Sequence, residues 1–313
     1  MAPTVAVFPN EGSHYIGMGR EFYSRSLLVR KYYDDLEKEL KIKLAKVCFL
    51  GPKEEQDKIL YSHLSVFISD LSFYEVLIQN KRKPEILTGV GIGELVALVA
   101  AESIPFLPTI HWLFQRVGIF ETWREKYSGT SLYISGIKLP QLESIIEKNK
   151  DSIYITQYLS SENFMVWGST EAITMLQNAI QTIKLIKFAY SLNRGPIFTS
   201  HAKEMIQDLN QSFSSVFGDE KIKMPKLRIF STYLQKFIET VEDIKLILFQ
   251  QYTAPVDWIK TCQTLTTMGY RTWIEIGPGK VYSTLLKKID INTRIVNVED
   301  VKSLSTTLKI LNS

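Results

Sequence analysis

The stretch LTGVGIGELVALVAA, residues 87–101, constrains the fold of this chain more than any other. An apolar run passes through glycines at alternate positions, Gly89, Gly91 and Gly93, into a second apolar run with helical spacing. That pattern predicts a strand over EILTGV, a tight turn, and a helix from about Glu94 to Glu102. A strand-to-helix turn of the form G-x-S-x-G is a nucleophile elbow: small residues on either side permit a strained, exposed serine at the helix amino terminus. Backbone N–H groups there stabilise the oxyanion of an acyl-transfer intermediate. In this chain the tip of the turn is Gly91. Taken alone, the pattern suits a phosphate-cradling loop equally well.

The remaining elements can be placed around that turn. TVAVFP, residues 4–9, reads as a buried strand, and Met18 to Ile78 has mostly helical apolar spacing. A helix is expected over His111 to Tyr127, with Arg116 among its apolar positions. From residue 131 the texture changes. SLYISG predicts a strand, PQLESIIEKNK a helix opened by Pro140, and SIYITQYL and NFMVWGS a strand pair. TEAITMLQNAIQT then predicts a capped helix and IKLIKFAYS a strand. The order βαββαβ is that of a ferredoxin-like unit. After the Asn193-Arg194-Gly195-Pro196 joint come helix HAKEMIQDLNQSF, strand LRIFST, two helices around VEDIKLILFQQY and VDWIKTCQTLTTMG, strand TWIEIGPG and a terminal helix. The expected class is α/β: a discontinuous large domain, residues 1–128 and 195–313, with a mainly parallel sheet, and an inserted ferredoxin-like domain at 129–194.

Composition narrows the function classes. With 313 residues and 45% hydrophobic content, the chain can bury a substantial core. The apolar run Leu95 to Ala101 falls well short of the roughly 18 to 20 residues a bilayer requires, so no membrane span is expected. MAPTVAVFPNEG has no basic region before its apolar residues and reads as a first strand, which predicts a cytoplasmic protein. Two cysteines, Cys48 and Cys262, form no disulfide framework, and the scattered His14, His63, His111 and His201 suggest no metal site. A formal charge of +4, with small basic clusters at Lys81 to Lys83 and Lys287 to Lys288, speaks against nucleic acid. It is compatible with an acidic partner or a phosphate-bearing ligand. A monomer is expected.

The context of the glycine turn is more specific. Phe8-Pro9-Asn10-Glu11-Gly12-Ser13-His14-Tyr15-Ile16-Gly17-Met18-Gly19 resembles the opening FPGQGSQxxGMG of the malonyl-CoA:acyl carrier protein transacylase family, the acyltransferases of fatty acid and polyketide synthesis. Gly89 to Glu94 sits where that family has GHSxGE, and Arg116 where it has the arginine of an R-G-x-x-M helix, although Val117 and Phe120 depart from that pattern. Phe198 to Met205 is similar to its S/F-H-x-x-x-M, Gln251 to Trp258 to its Q-L-x-x-P-V-x-W, and Glu275 to Val281 to its E-x-G-P-G-x-V.

The resemblance implies a two-step transfer from acyl-CoA, through an acyl-serine, to the phosphopantetheine thiol of an acyl carrier protein. It implies that His201 is the general base, that Gln251 helps to orient it, and that Arg116 receives the carboxylate of a malonyl group. Without the resemblance, each has an ordinary alternative: a cap or surface histidine, a helix-end amide, a surface helix charge. The oxyanion side is implied to involve Ile92 and the loop at Glu11. No cofactor is expected to be permanently bound; acyl-CoA enters as substrate or ligand.

Departures from the family pattern cluster at one place. Gly91 stands at the nucleophile's position, Val90 at that of the neighbouring histidine, and Glu11 at that of a glutamine. Removing such a nucleophile costs on the order of a millionfold in turnover, about 8 kcal/mol. Three expectations follow: a homologue that binds acyl-CoA or carrier protein without forming an acyl-enzyme, an active malonyl transferase whose serine was replaced by substitution, or a hydrolase in which His201 activates water.

Overall fold

The computed structural model describes residues 3–147, 152–181, 183, 186–191, 195–217 and 221–312. Among the described residues, eleven strands follow in chain order: β1 (Thr4–Phe8), β2 (Ile86–Gly89), β3 (Thr130–Ser135), β4 (Ile153–Ser160), β5 (Asn163–Gly168), β6 (Lys187–Ser191), β7 (Arg228–Ser231), β8 (Lys236–Phe237), β9 (Val256–Asp257), β10 (Thr272–Ile276) and β11 (Arg294–Val298). They form two sheets. The larger has the order β11-β10-β1-β2-β7-β8, parallel throughout except for the short β8 at one edge.

Strands β1, β2 and β10 lie at the middle of that sheet and are almost wholly buried, as continuous apolar runs covered by helices on both faces must be. The helix Ile59–Gln79 packs across this region and buries most of its length, and Phe106–Lys126 runs beside it. Ala6 of β1 is in register with Ile274 of β10 and Leu87 of β2. Because these three strands are parallel neighbours, the loops following each of them emerge at one carboxyl edge, where α/β sheets place their sites. The three glycine-bearing motifs, distant in sequence, are thereby brought together.

The smaller sheet has the order β6-β3-β5-β4, antiparallel, with helices Leu139–Ile146 and Thr170–Ile180 packed on it. This is the ferredoxin-like arrangement expected from the βαββαβ order. Its fifth strand, β9, comes from beyond residue 194 and pairs parallel to β4 through Gln157 and Val256. The small sheet therefore includes main chain from the returning segment, which nothing in the local pattern of 129–194 foretells. Across the same boundary, Lys288 donates to Asn163 Oδ1 at 2.9 Å.

Several boundaries differ from the sequence expectation. The helix after the glycine turn starts at Ile92, directly after Gly91, and the next one starts at Phe106, with Pro108 tolerated in its first turn. The carboxyl end is not one strand and one helix: β10 stops at Ile276 and is followed by helix Val281–Ile289, edge strand β11 and helix Val301–Asn312. The half-exposed RIVNV of β11 lacks the fully apolar run of a central strand. HAKEM forms a 3-10 turn over Ser200–Met205 before the helix Ile206–Val216. Asn193 and Arg194, and the ends of the expected helices at 148–150 and 182, lie outside the described residues. Cys48 and Cys262 are buried free thiols. Among the described residues, no helix is long and apolar enough to cross a membrane.

Candidate functional site

At the carboxyl edge of β2, Gly91 has φ 56° and ψ −109°, a left-handed conformation that favours glycine, and helix Ile92–Ala100 begins at the next residue. Its neighbours hold this geometry by contact. A Cβ on Gly93 would lie 2.1 Å from the Phe8 carbonyl oxygen, and one on Gly89 would lie 2.2 Å from the Gly93 carbonyl carbon. Main chain thus meets main chain on both sides of the turn. This is the backbone of a nucleophile elbow.

What faces Gly91 is Asn10, a residue that the sequence reading passed over. A Cβ at position 91 would sit 2.5 Å from Asn10 Oδ1 and 2.8 Å from its Cγ. The same Oδ1 accepts a hydrogen bond from the Ile92 N–H at 3.0 Å, in a buried setting. That N–H belongs to the first turn of the helix, where amides lack intrahelical partners and carry the positive end of the helix dipole. An acyl oxygen in an oxyanion hole would take the same donor. Here the carboxamide of Asn10 holds it. The available signal is that FPGQG carries glycine where this chain has Asn10.

The other side of Gly91 is closed. A void of about 10 Å³ remains among Val90, Gly91, Glu94, Phe198, Thr232 and Gln251, at most room for one water. Gln251 is buried, and among the described residues neither its Oε1 nor its Nε2 has a hydrogen-bond partner. Glu94 accepts from Ser231 Oγ at 2.7 Å and from the Tyr233 N–H at 3.3 Å. Burial raises its carboxyl pKa to about 7 despite these bonds.

The described contacts of His201 are with Tyr154 of β4 and with Tyr127. His201 lines neither the void nor the large cavity described below. Its Nε2 is 2.8 Å from the Tyr154 hydroxyl, and its ring packs between Tyr154 and Tyr127. The group from its loop that borders Gly91 is Phe198, buried at φ 62° and donating its N–H to the Tyr252 carbonyl. Thr199 Oγ1 bonds back to the Pro196 carbonyl, and the 3-10 turn then carries His201 past the loop's inward point toward β4.

Arg116, which the resemblance implies would receive a carboxylate, is held among buried side chains. It is fully buried and borders neither cavity. One terminal nitrogen donates to the Tyr252 hydroxyl, and the other lies 3.5 Å from His63 Nδ1. The rings of Trp112, Phe120 and Tyr252 stand within 5.3 Å of its guanidinium carbon. His63 Nε2 in turn faces Glu11 Oε1 at 4.0 Å. Burial, then the Arg116 charge, hold the His63 pKa well below the ordinary histidine value.

The large cavity, about 870 Å³, runs between the two sheets. Asn10, Glu11, Phe198 and Leu159 are among its walls, and Lys53, Lys280 and Lys288 are exposed on its rim. His14 is fixed in its wall: Nε2 pairs with Asp57 Oδ1 at 2.8 Å, and Nδ1 accepts from the Gly12 N–H at 3.3 Å. The Gly277-Pro278-Gly279 turn has a structural task. Glu275 before it accepts from the N–H groups of Tyr282 and Ser283 at the start of the following helix, and a Cβ on Gly277 would lie 2.4 Å from both Asp70 Oδ1 and Pro9 Cγ.

The fold and the elbow define an α/β chain of the hydrolase-like class with an inserted ferredoxin-like unit. In particular, over nearly its full length the chain is similar in sequence and in fold to malonyl CoA-acyl carrier protein transacylases. The transacylase of Bacillus subtilis (strain 168) is 24% identical over 313 residues, 99% of this chain and 98% of the relative. A probable mitochondrial transacylase of Drosophila melanogaster is 23% identical, over 92% of this chain and 79% of its own. Among solved structures, a malonyl-transacylase in complex with the acyl-carrier protein of a type II polyketide synthase superposes with TM-score 0.90 at 21% identity, covering 99% of this chain and 100% of that one. The transacylase of Coxiella burnetii gives 0.89 at 22% identity, covering 100% and 99%. No family model matches the chain.

Proposed function

We propose that this chain is a member of the malonyl-CoA:acyl carrier protein transacylase family that receives the phosphopantetheine arm of acyl-CoA or acyl carrier protein without forming an acyl-enzyme. The observation that carries the reading is Asn10, whose carboxamide fills the space a nucleophile's Cβ would need and takes the Ile92 amide that an acyl oxygen would use. The cavity supplies the second half: its volume of about 870 Å³ can take a ligand of substantial size, and its exposed lysines suit phosphate groups and an acidic carrier surface. The role in fatty acid or polyketide assembly would then be binding or scaffolding.

Asn10 also bears on the alternative, an active enzyme with one replaced serine. A side chain at 91 conflicts with Asn10 as placed, so restoring serine alone would leave the oxyanion donor contested. The direct test is intact mass after incubation with malonyl-CoA, with and without acyl carrier protein. No malonyl adduct and no acylated carrier are expected; either product would overturn the proposal.

A further inference from the structure

We infer that Phe198 is a specificity-determining residue: its ring partitions the large cavity from the void beside Gly91, so that an arm bound in the cavity stops short of the elbow. The inference rests on the binding role proposed above and specifies what the site reads in its ligand, the arm rather than the acyl group on its sulfur.

The walls of the two spaces carry it. Asn10, Leu159 and Ile197 face the large cavity, whereas Gly91, Glu94 and Gln251 face the void. Among the described residues, Phe198 alone belongs to both walls. It is buried, and its ring packs against that of Tyr252 at 5.7 Å between centroids.

Two further features place a cost at this partition. Phe198 adopts φ 62°, a left-handed conformation that a bulky residue rarely takes and that persists only where its surroundings enforce it. The hydrogen bond from its N–H to the Tyr252 carbonyl is one such constraint. Behind the ring, Gln251 is buried, and neither atom of its carboxamide has a hydrogen-bond partner among the described residues. An unpartnered interior amide is unfavourable, and the space from which solvent or a ligand would reach it lies across Phe198. Glu94, on the same void, has its carboxyl pKa raised to about 7 by burial, as befits a group cut off from solvent. The elbow therefore keeps polar groups that the Phe198 ring separates from the contents of the cavity. Glycine takes φ 62° without strain, so Phe198→Gly removes the ring and suits the main chain as it stands.

The test places a thiol reporter in the void. Val90 is buried and lines it, and Val90→Cys puts a smaller side chain there. Alkylation by N-ethylmaleimide, counted by intact mass, is expected to be about tenfold or more faster in Val90→Cys, Phe198→Gly than in Val90→Cys alone. Equal rates, whether both fast or both slow, overturn the inference. The buried Cys48 and Cys262 are internal controls. Labelling of the reporter alone reports opening, and labelling of these two as well reports unfolding, in which case Phe198→Ala replaces the glycine variant. In calorimetric titration, CoA and acetyl-CoA are expected to bind the unaltered chain within about twofold of each other. Phe198→Gly is expected to bind acetyl-CoA about fourfold more tightly than CoA, the scale of one newly buried methyl group. A larger difference in the unaltered chain, or an unchanged ratio in the variant, overturns the inference and leaves the binding role standing. Absence of binding by both removes the binding role, and the labelling rates then decide the partition by themselves.

Discussion

Introducing a serine at the elbow, Gly91→Ser, tests the Asn10 contact most directly. The new Cβ would lie 2.5 Å from Asn10 Oδ1 and 2.8 Å from Cγ, so Asn10 must swing away and release the Ile92 N–H. Losing that hydrogen bond costs about 1 kcal/mol net. A non-glycine residue at φ 56° adds about 1–2 kcal/mol of backbone strain. The single variant is therefore expected to be about 2–3 kcal/mol less stable than the unaltered chain, read by denaturant unfolding. Because the displaced Asn10 carboxamide remains beside the elbow and must be kept clear of the Ile92 N–H for an acyl oxygen to enter, acylation should also be held back. The double variant Gly91→Ser, Asn10→Gly removes that competitor and should acylate roughly tenfold faster with acetyl-CoA, the factor that corresponds to about 1.4 kcal/mol. CoA release and intact mass measure both. Equal acylation rates in the single and double variants would refute the argument that Asn10 occupies the site.

Other expectations follow from the same geometry. Gly93→Ala places a methyl 2.1 Å from the Phe8 carbonyl, a backbone atom that cannot move aside, and should destabilise the chain by about 3 kcal/mol or more in urea unfolding. Glu94 has its pKa raised to about 7 in the folded chain against an ordinary 4.5, so the folded state holds its proton more tightly. Its stabilising contribution is complete at low pH and is lost as pH rises from about 4.5 through about 7, by as much as about 3 kcal/mol. In Glu94→Gln, unfolding measured across that window should show a shallower fall. His201→Ala should leave CoA binding and any slow thioester hydrolysis unchanged, since the imidazole borders neither cavity; loss of either would restore His201 to the site.

Much of the scaffold is legible along the chain because its causes are local. Alternate glycines before an apolar helical run mark a turn that needs positive φ and close main-chain approach, and Gly91 and Gly93 occupy such positions. Central strands such as TVAVF are apolar without interruption because both faces are covered, whereas the half-exposed RIVNV gives only a faint signal. Capping and turn residues place the ferredoxin-like elements, although the local pattern carries no sign that Val256 and Asp257 would join their sheet.

The sequence by itself thus determined the elbow backbone, the mainly parallel sheet and the inserted unit, since φ preference and hydrophobic period belong to neighbouring residues. Tertiary structure alone decided what occupies the elbow. Asn10 reaches Gly91 because β1 and β2 are parallel neighbours, Arg116 is held by Tyr252 from far along the chain, and Phe198 lines the void beside Gly91 while His201 pairs with Tyr154. Each of these outcomes depends on which side chain fills a shared volume, and packing between distant segments settles that competition.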